Sequence, residues 1–193
     1  KTVYAGWEAT GVPDKLNGDD HFAYVIGYPD GKVHPKGNIS RAETATIFFR
    51  LLKADIRDGN LTADNDFFDV SDGQWHNKAI STMAKLGIVN GGSDGYFRPS
   101  DPITRAEIAA MIARCDGNSY GNAYTNFSDV KGHWAANYIA RAYELGWING
   151  YGTTYAPDKY ISRAETVAIL NRVLNRAPQT TSDLLSGLNT FND

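Results

Sequence analysis

The sequence predicts a mainly α-helical fold of tandem helix–loop–helix repeats packed as a pseudo-threefold, three-pronged domain. Three observations carry this expectation. The pentapeptide Ile-Ser/Thr-Arg-Ala-Glu occurs at Ile39–Glu43, Ile103–Glu107 and Ile161–Glu165. Its arginines are spaced by about 64 and then about 58 residues, one supersecondary unit per copy. After each motif, apolar residues recur at helical spacing: Ala42, Ala45, Phe48, Leu51 and Leu52; Ala106, Ala109, Ile112 and Cys115; Ala164, Val167, Leu170, Val173 and Leu174. Before each motif lies a segment rich in glycine and proline, which marks a turn. A helix pair with one apolar stripe cannot bury it alone, so the three pairs are expected to pack their stripes together, about a pseudo-threefold axis or as a short solenoid.

In chain order, residues 1–20 form a lead-in. Residues 21–53 are repeat 1 with its back half only: Gly27 to Pro35 fits the loop and Ser40 to Leu52 the second helix, while nothing upstream of His21 resembles a tryptophan-containing first helix. Residues 54–66 form a polar linker whose acidic spacing misses the calcium-loop pattern. Repeat 2 (67–116) is complete, running from Phe68-Asp69-Val70 through Trp75, Ile80 and Leu86-Gly87 to the loop Gly91–Pro99 and the motif helix. After a linker at 117–125, repeat 3 (126–176) repeats this order through Asp129-Val130, Trp134, Ile139 and Leu145-Gly146. In residues 177–193, Ser182 to Leu188 fits a short capped helix and Phe191-Asn192-Asp193 resembles the opening of a further half-repeat.

With 193 residues and 42% apolar content, the chain can bury a core within one domain. A formal charge of −3 argues against nucleic acid as a partner. No apolar run reaches bilayer length, so no membrane span is expected. Lys1 does not open a signal peptide; export would require one already removed or lying upstream. Cys115, the only cysteine, stands where the other copies have Leu51 and Val173 and reads as a small core hydrophobe. His21, His34, His76 and His133 lack metal-ligand spacing and are expected on the surface or in loops. No metal or cofactor is expected.

Ser40-x-x-Glu43, Thr104-x-x-Glu107 and Ser162-x-x-Glu165 are capping boxes. The motif arginine is different, because in the first turn the positive end of the helix dipole disfavours a cation. Arg50, Arg114 and Arg172 fall near the helix C-termini, where the dipole favours them. The motif arginine must therefore gain from an internal carboxylate, with Asp69 and Asp129 as candidates, or from an external anion shared with first-turn N–H groups. Trp75 and Trp134 would by default pack, although an indole beside a glycine-rich loop and an arginine also suits a sugar. Glycoside hydrolysis would have to recruit glutamates already used as caps, so an enzyme is not expected.

The ordered set from Phe68 to Glu107 resembles the S-layer homology domain of bacterial surface proteins, and the resemblance covers about residues 21 to 175. It implies a non-catalytic, extracellular anchoring module of the bacterial cell wall or S-layer, with ligand grooves between adjacent repeats. The implied partner is a cell-wall polysaccharide, in many cases one carrying a pyruvate ketal, which would select the external-anion reading. By position, the implied contacts are Ser40 and Arg41, Thr104 and Arg105, Ser162 and Arg163, with Trp75, Trp134, and the loop pairs Asp30-Gly31 and Asp94-Gly95. Arg105 leads because its repeat keeps every flanking feature. Repeat 3 has Thr153-Thr154 in place of Asp-Gly, and repeat 1 lacks its tryptophan helix, so one or two competent grooves are expected rather than three. The alternative is self-association through the incomplete first repeat.

Overall fold

The computed structural model describes residues 11–20, 23–117 and 125–176. The expected helix at 182–188 and the opening at 191–193 lie outside them. Among the described residues there are six helices: α1 (Arg41–Leu51), α2 (Ala54–Asn60), α3 (Asn77–Lys85), α4 (Arg105–Asp116), α5 (Ala136–Glu144) and α6 (Arg163–Val173). The β pairing among them consists of isolated bridges. The chain is mainly α, and α2 shows that the polar linker itself holds one short helix.

Local chemistry sets the ends of the helices. All three capping boxes form, with Ser40, Thr104 and Ser162 accepting from the N–H three residues on and the glutamate reaching back to the cap. Helix α4 stops at Gly117, whose φ of 73° places it in the left-handed region that ends helices. The front helices α3 and α5 follow Trp75-His76 and Trp134-Ala135 and end one residue before Leu86-Gly87 and Leu145-Gly146.

Front and back helices pair across repeats: α3 packs on α1, and α5 on α4. The back helices α1 and α4 are therefore buried on more than one face. Of the expected apolar stripes, those of α1 and α4 are buried throughout. On α6, however, Ala164 is exposed and Val167 only half-buried. The reason is the same pairing, since no following front helix covers α6 among the described residues.

The three motif segments meet at the centre. Ile103 donates its N–H to Ile39 O (3.0 Å), Ile161 to Ile103 O (3.2 Å) and Ile39 to Ile161 O (3.3 Å), a closed ring of backbone hydrogen bonds. Bridges Ser40–Pro102, Thr104–Tyr160 and Asn38–Ser162 continue it outward in the same cyclic order. All three isoleucines are buried, and Trp147, Tyr155, Phe48 and Phe97 fill the surrounding core. The lead-in joins this core through Leu16: Asn17 donates to Leu51 O and Lys15 to Cys115 O, tying the ends of α1 and α4 together. Cys115 is fully enclosed, and burial pushes its thiol up to about 12, as befits a packing residue.

His76 departs from expectation. It is buried at the entry to α3, its ring edge-on to Trp75 at 5.1 Å. Burial lowers its pKa, opposed by the carboxylate of Asp69.

Candidate ligand grooves between the repeats

Each motif arginine reaches into the loop of the next repeat. Arg41 donates from Nε to Phe97 O (2.7 Å) and from a terminal nitrogen to Asn90 O (3.1 Å), and it pairs with Glu107. Arg105 donates to Tyr155 O and Asn149 O, both at 2.8 Å. Arg163 donates to Ile26 O (3.1 Å) and pairs with Glu43 at 2.9 Å. The pattern is cyclic: repeat 1 holds loop 2, repeat 2 holds loop 3, and repeat 3 holds loop 1.

For Arg41 and Arg163 the internal partner is thus neither Asp69 nor Asp129 but the cap glutamate of the next repeat. A carboxylate has two oxygens, and here they do two jobs. Glu43 Oε2 accepts from the Ser40 N–H (2.8 Å), while Oε1 takes Arg163 and the Tyr28 hydroxyl (2.6 Å). Glu107 divides its oxygens the same way between Thr104 and Arg41. Glu165 caps Ser162 and accepts from Tyr151 Oη at 3.3 Å instead of from Arg105. Burial alone would raise the Glu165 pKa; the bonds from Ser162 and Tyr151, with Lys159 nearby, bring it below the usual range.

The first-turn N–H groups are committed too. Arg41 N donates to Asp101 O and Ala42 N to Pro99 O, both at 2.9 Å; Arg105, Ala106, Arg163 and Ala164 do the same to Lys159, Pro157, Gly37 and Pro35. An anion shared with these N–H groups has no place here, because each helix N-terminus is seated on the neighbouring loop. The carbonyls that accept these bonds also offset the unfavourable dipole at the arginine.

Asp69 and Asp129 serve the loops. Asp69 accepts from Phe97 N (2.8 Å) and Arg98 N (2.7 Å), and Asp129 from Tyr155 N (2.9 Å) and Ala156 N (2.7 Å). Arg98 and Ala156 have φ of 59° and 57°, so each aspartate holds a residue in a conformation that L side chains disfavour. Burial would raise the Asp129 pKa, but these two bonds outweigh it and lower it.

Among the described residues, two grooves share one construction. One, of about 450 Å³, is lined by Arg41, Asn90, Thr104, Glu107, Arg114 and Trp134 among others. The other, of about 460 Å³, is lined by Ile26, Tyr28, Glu43, Arg50, Trp75 and Arg163. Each takes its arginine from one repeat, its loop, cap glutamate and second arginine from the next, and its tryptophan from the one after. Trp134 and Trp75 are 58% and 67% exposed, so neither is the core aromatic that residue type alone would suggest. That place belongs to Trp147, which stands in register with the buried Ile88.

The other sequence candidates scatter. Thr104 lines a groove, whereas Ser40 and Ser162 serve as caps outside the two linings. Asp30 and Asp94 turn back on their own loops, to Lys32 N with His34 and to Tyr96 N with Arg98. Gly31 and Gly95 supply the positive φ those turns need, 75° and 82°. Arg105 lies between the rings of Tyr155 (4.5 Å) and Tyr151 (4.8 Å), enclosed rather than facing either groove. Sequence reasoning missed Arg50 and Arg114 as groove walls. They donate to Tyr24 O (3.3 Å) and Ile88 O (3.1 Å), and their threefold recurrence was the available signal.

The family model described as S-layer homology domain matches residues 23–45, 66–109 and 126–167, together more than half of the chain. The sequence is 38% identical over 179 residues to cell surface glycoprotein 1 of Acetivibrio thermocellus, covering 86% of this chain and 8% of that protein. It is 36% identical over 173 residues to the cellulosome-anchoring protein of the same organism, covering 86% of this chain and 39% of that one. It is 31% identical over 149 residues to the S-layer protein of Bacillus licheniformis, covering 76% of this chain and 17% of the relative. The chain thus spans well under half the length of the relatives it matches.

Proposed function

The chain belongs to the S-layer homology family, and on that premise we propose that it is a non-catalytic cell-wall anchoring module. It acts at the bacterial cell surface, in the wall or S-layer, and binds an anionic secondary cell-wall polysaccharide, including pyruvylated forms, in the grooves between repeats. One observation carries the reading. Two exposed indoles each share a groove lining with arginines, Trp134 with Arg41, Arg98 and Arg114 and Trp75 with Arg50 and Arg163. An indole face suits the apolar face of a sugar ring, and guanidinium groups suit its carboxylate. Affinity per groove is modest, and two grooves on one repetitive polymer multiply it. No helix among the described residues is long and apolar enough to cross a membrane.

The test is co-sedimentation with purified native wall polymer, before and after mild acid removal of ketals. Wild type is expected to sediment with the native polymer and the double variant Trp75→Ala/Trp134→Ala to stay in solution. Equal sedimentation of both proteins would refute the groove reading, and insensitivity to acid treatment would refute the pyruvate ketal as the epitope. A second reading, self-association, is favoured by the exposed Ala164 and Ala168 on α6, where the equivalents on α1 and α4 are buried. A monomeric mass by light scattering at high concentration would exclude it.

A further inference from the structure

The two grooves differ at several lining residues, Arg98 lining the Arg41 groove alone, and one of these differences lies on a backbone position that the threefold pattern makes directly comparable. Tyr28, Gly92 and Tyr151 each follow the first glycine of their loop, and each donates its N–H across the turn, to Lys32 O (2.8 Å), Tyr96 O (2.8 Å) and Thr154 O (2.6 Å). They occupy the same backbone position. Only the side chain changes.

Where it is tyrosine, it covers the arginine. The Tyr28 ring lies 4.6 Å from the Arg163 guanidinium, and its hydroxyl bonds both partners of the ion pair, Glu43 at 2.6 Å and Arg163 at 3.2 Å. Tyr151 does the same beside Arg105, with its hydroxyl on Glu165. Where it is Gly92, Arg41 has Phe97 at 4.7 Å on one face and, among the described residues, no ring on the other. The Arg41 side chain is accordingly 14% exposed against 5% for Arg163. The neighbouring position reinforces the contrast, for Asn90 lines the Arg41 groove and Ile26 the Arg163 groove.

Building on the anchoring function above, we propose that the residue after the first loop glycine sets the charge preference of each groove. Gly92 leaves the Arg41 groove open to a carboxylate-bearing sugar. Tyr28 covers Arg163 and Glu43 and turns the other groove into a site for an uncharged sugar. A single chain would then read two different units along one polymer, the charged one against Trp134 and the neutral one against Trp75.

The indole N–H resonances of the two tryptophans report the grooves separately and are assigned by Trp→Phe variants. The probes are a methyl glycoside bearing a 4,6-pyruvate ketal and the methyl ester of the same compound, which has the same shape without the charge. In wild type, Trp134 is expected to respond to the acid at least tenfold more tightly than to the ester, and Trp75 to bind both within about twofold. Tyr28→Gly should give Trp75 the same preference for the acid. Gly92→Tyr should remove it from Trp134; a side chain there first meets Asp94 and the end of Arg98, an exposed pair rather than backbone. The second variant serves independently should the first fail to fold. Equal acid preference at both tryptophans of wild type, or variants that leave the preferences unchanged, would overturn the proposal while leaving the anchoring function standing. Silence of both indoles toward both probes would overturn the two together.

Discussion

Replacing Arg105 by alanine should unfold more than it unbinds. Its guanidinium makes two hydrogen bonds of 2.8 Å to the carbonyls of Asn149 and Tyr155 and lies between the rings of Tyr151 and Tyr155. A hydrogen bond to a charged group contributes about 1.5–3 kcal/mol, and truncation leaves the buried Tyr155 carbonyl without this donor. With a modest addition from the stacked rings, the loss comes to about 4 kcal/mol. For a chain of this size, 1 kcal/mol moves the thermal midpoint by about 2–4 °C, so a fall of roughly 8–16 °C is expected. Arg105→Lys should recover little, because an ammonium cannot span both carbonyls while stacking between two rings. Calorimetry and urea titration measure the loss directly, and the co-sedimentation assay, run below the lowered midpoint, measures binding. A midpoint within 2 °C of wild type together with lost polymer binding would refute the reasoning and restore Arg105 as a ligand contact.

Trp134→Ala and Trp75→Ala should each change stability by less than about 0.5 kcal/mol, as exposed side chains do, while weakening polymer binding by roughly 2- to 12-fold in a titration. Asp129→Ala removes the acceptor for two loop N–H groups, one at a positive-φ residue; a loss of about 2 kcal/mol in urea titration is expected, with faster amide exchange at Tyr155 and Ala156. Thr104→Ala removes the side-chain cap of α4 and should cost about 1 kcal/mol in the same titration. Acid should destabilise the fold in two steps. Burial lowers the His76 pKa, so the unfolded chain binds more protons; its contribution is complete above 6.5 and is lost as pH falls below that value. Glu165 and Asp129, whose pKa values are lowered, contribute above their ordinary values of 4.5 and 3.8 and lose that contribution at lower pH. Urea midpoints should therefore drop between pH 7 and 5, and His76→Gln should flatten that first step.

What was legible in the sequence followed from local chemistry. Capping boxes, turn glycines and the stripes of α1 and α4 depend on neighbours a few residues away, and they formed as read. The motif arginine was recognised as anomalous from the dipole argument, but its partner was hidden. A glutamate assigned to a cap looks spent until its second oxygen is seen to face another repeat, 66 positions from Arg41 in the case of Glu107. The tryptophans show the same limit in another form. Trp75, Trp134 and Trp147 are one residue type, and only register against Ile88 distinguishes the core ring from the two at the surface. His76 was misplaced because its burial depends on tertiary packing, which leaves no mark in nearby sequence.

The ring through Ile39, Ile103 and Ile161 bears on how such a module can evolve. In a linear array, a copy can be added or lost at an end, and the remaining units keep their interfaces. Here every copy is both donor and acceptor, so excising one would strand two neighbours and inserting a fourth would require the circle to open. Loop residues such as Tyr28 and Gly92 lie outside that circle and are free to diverge one groove at a time.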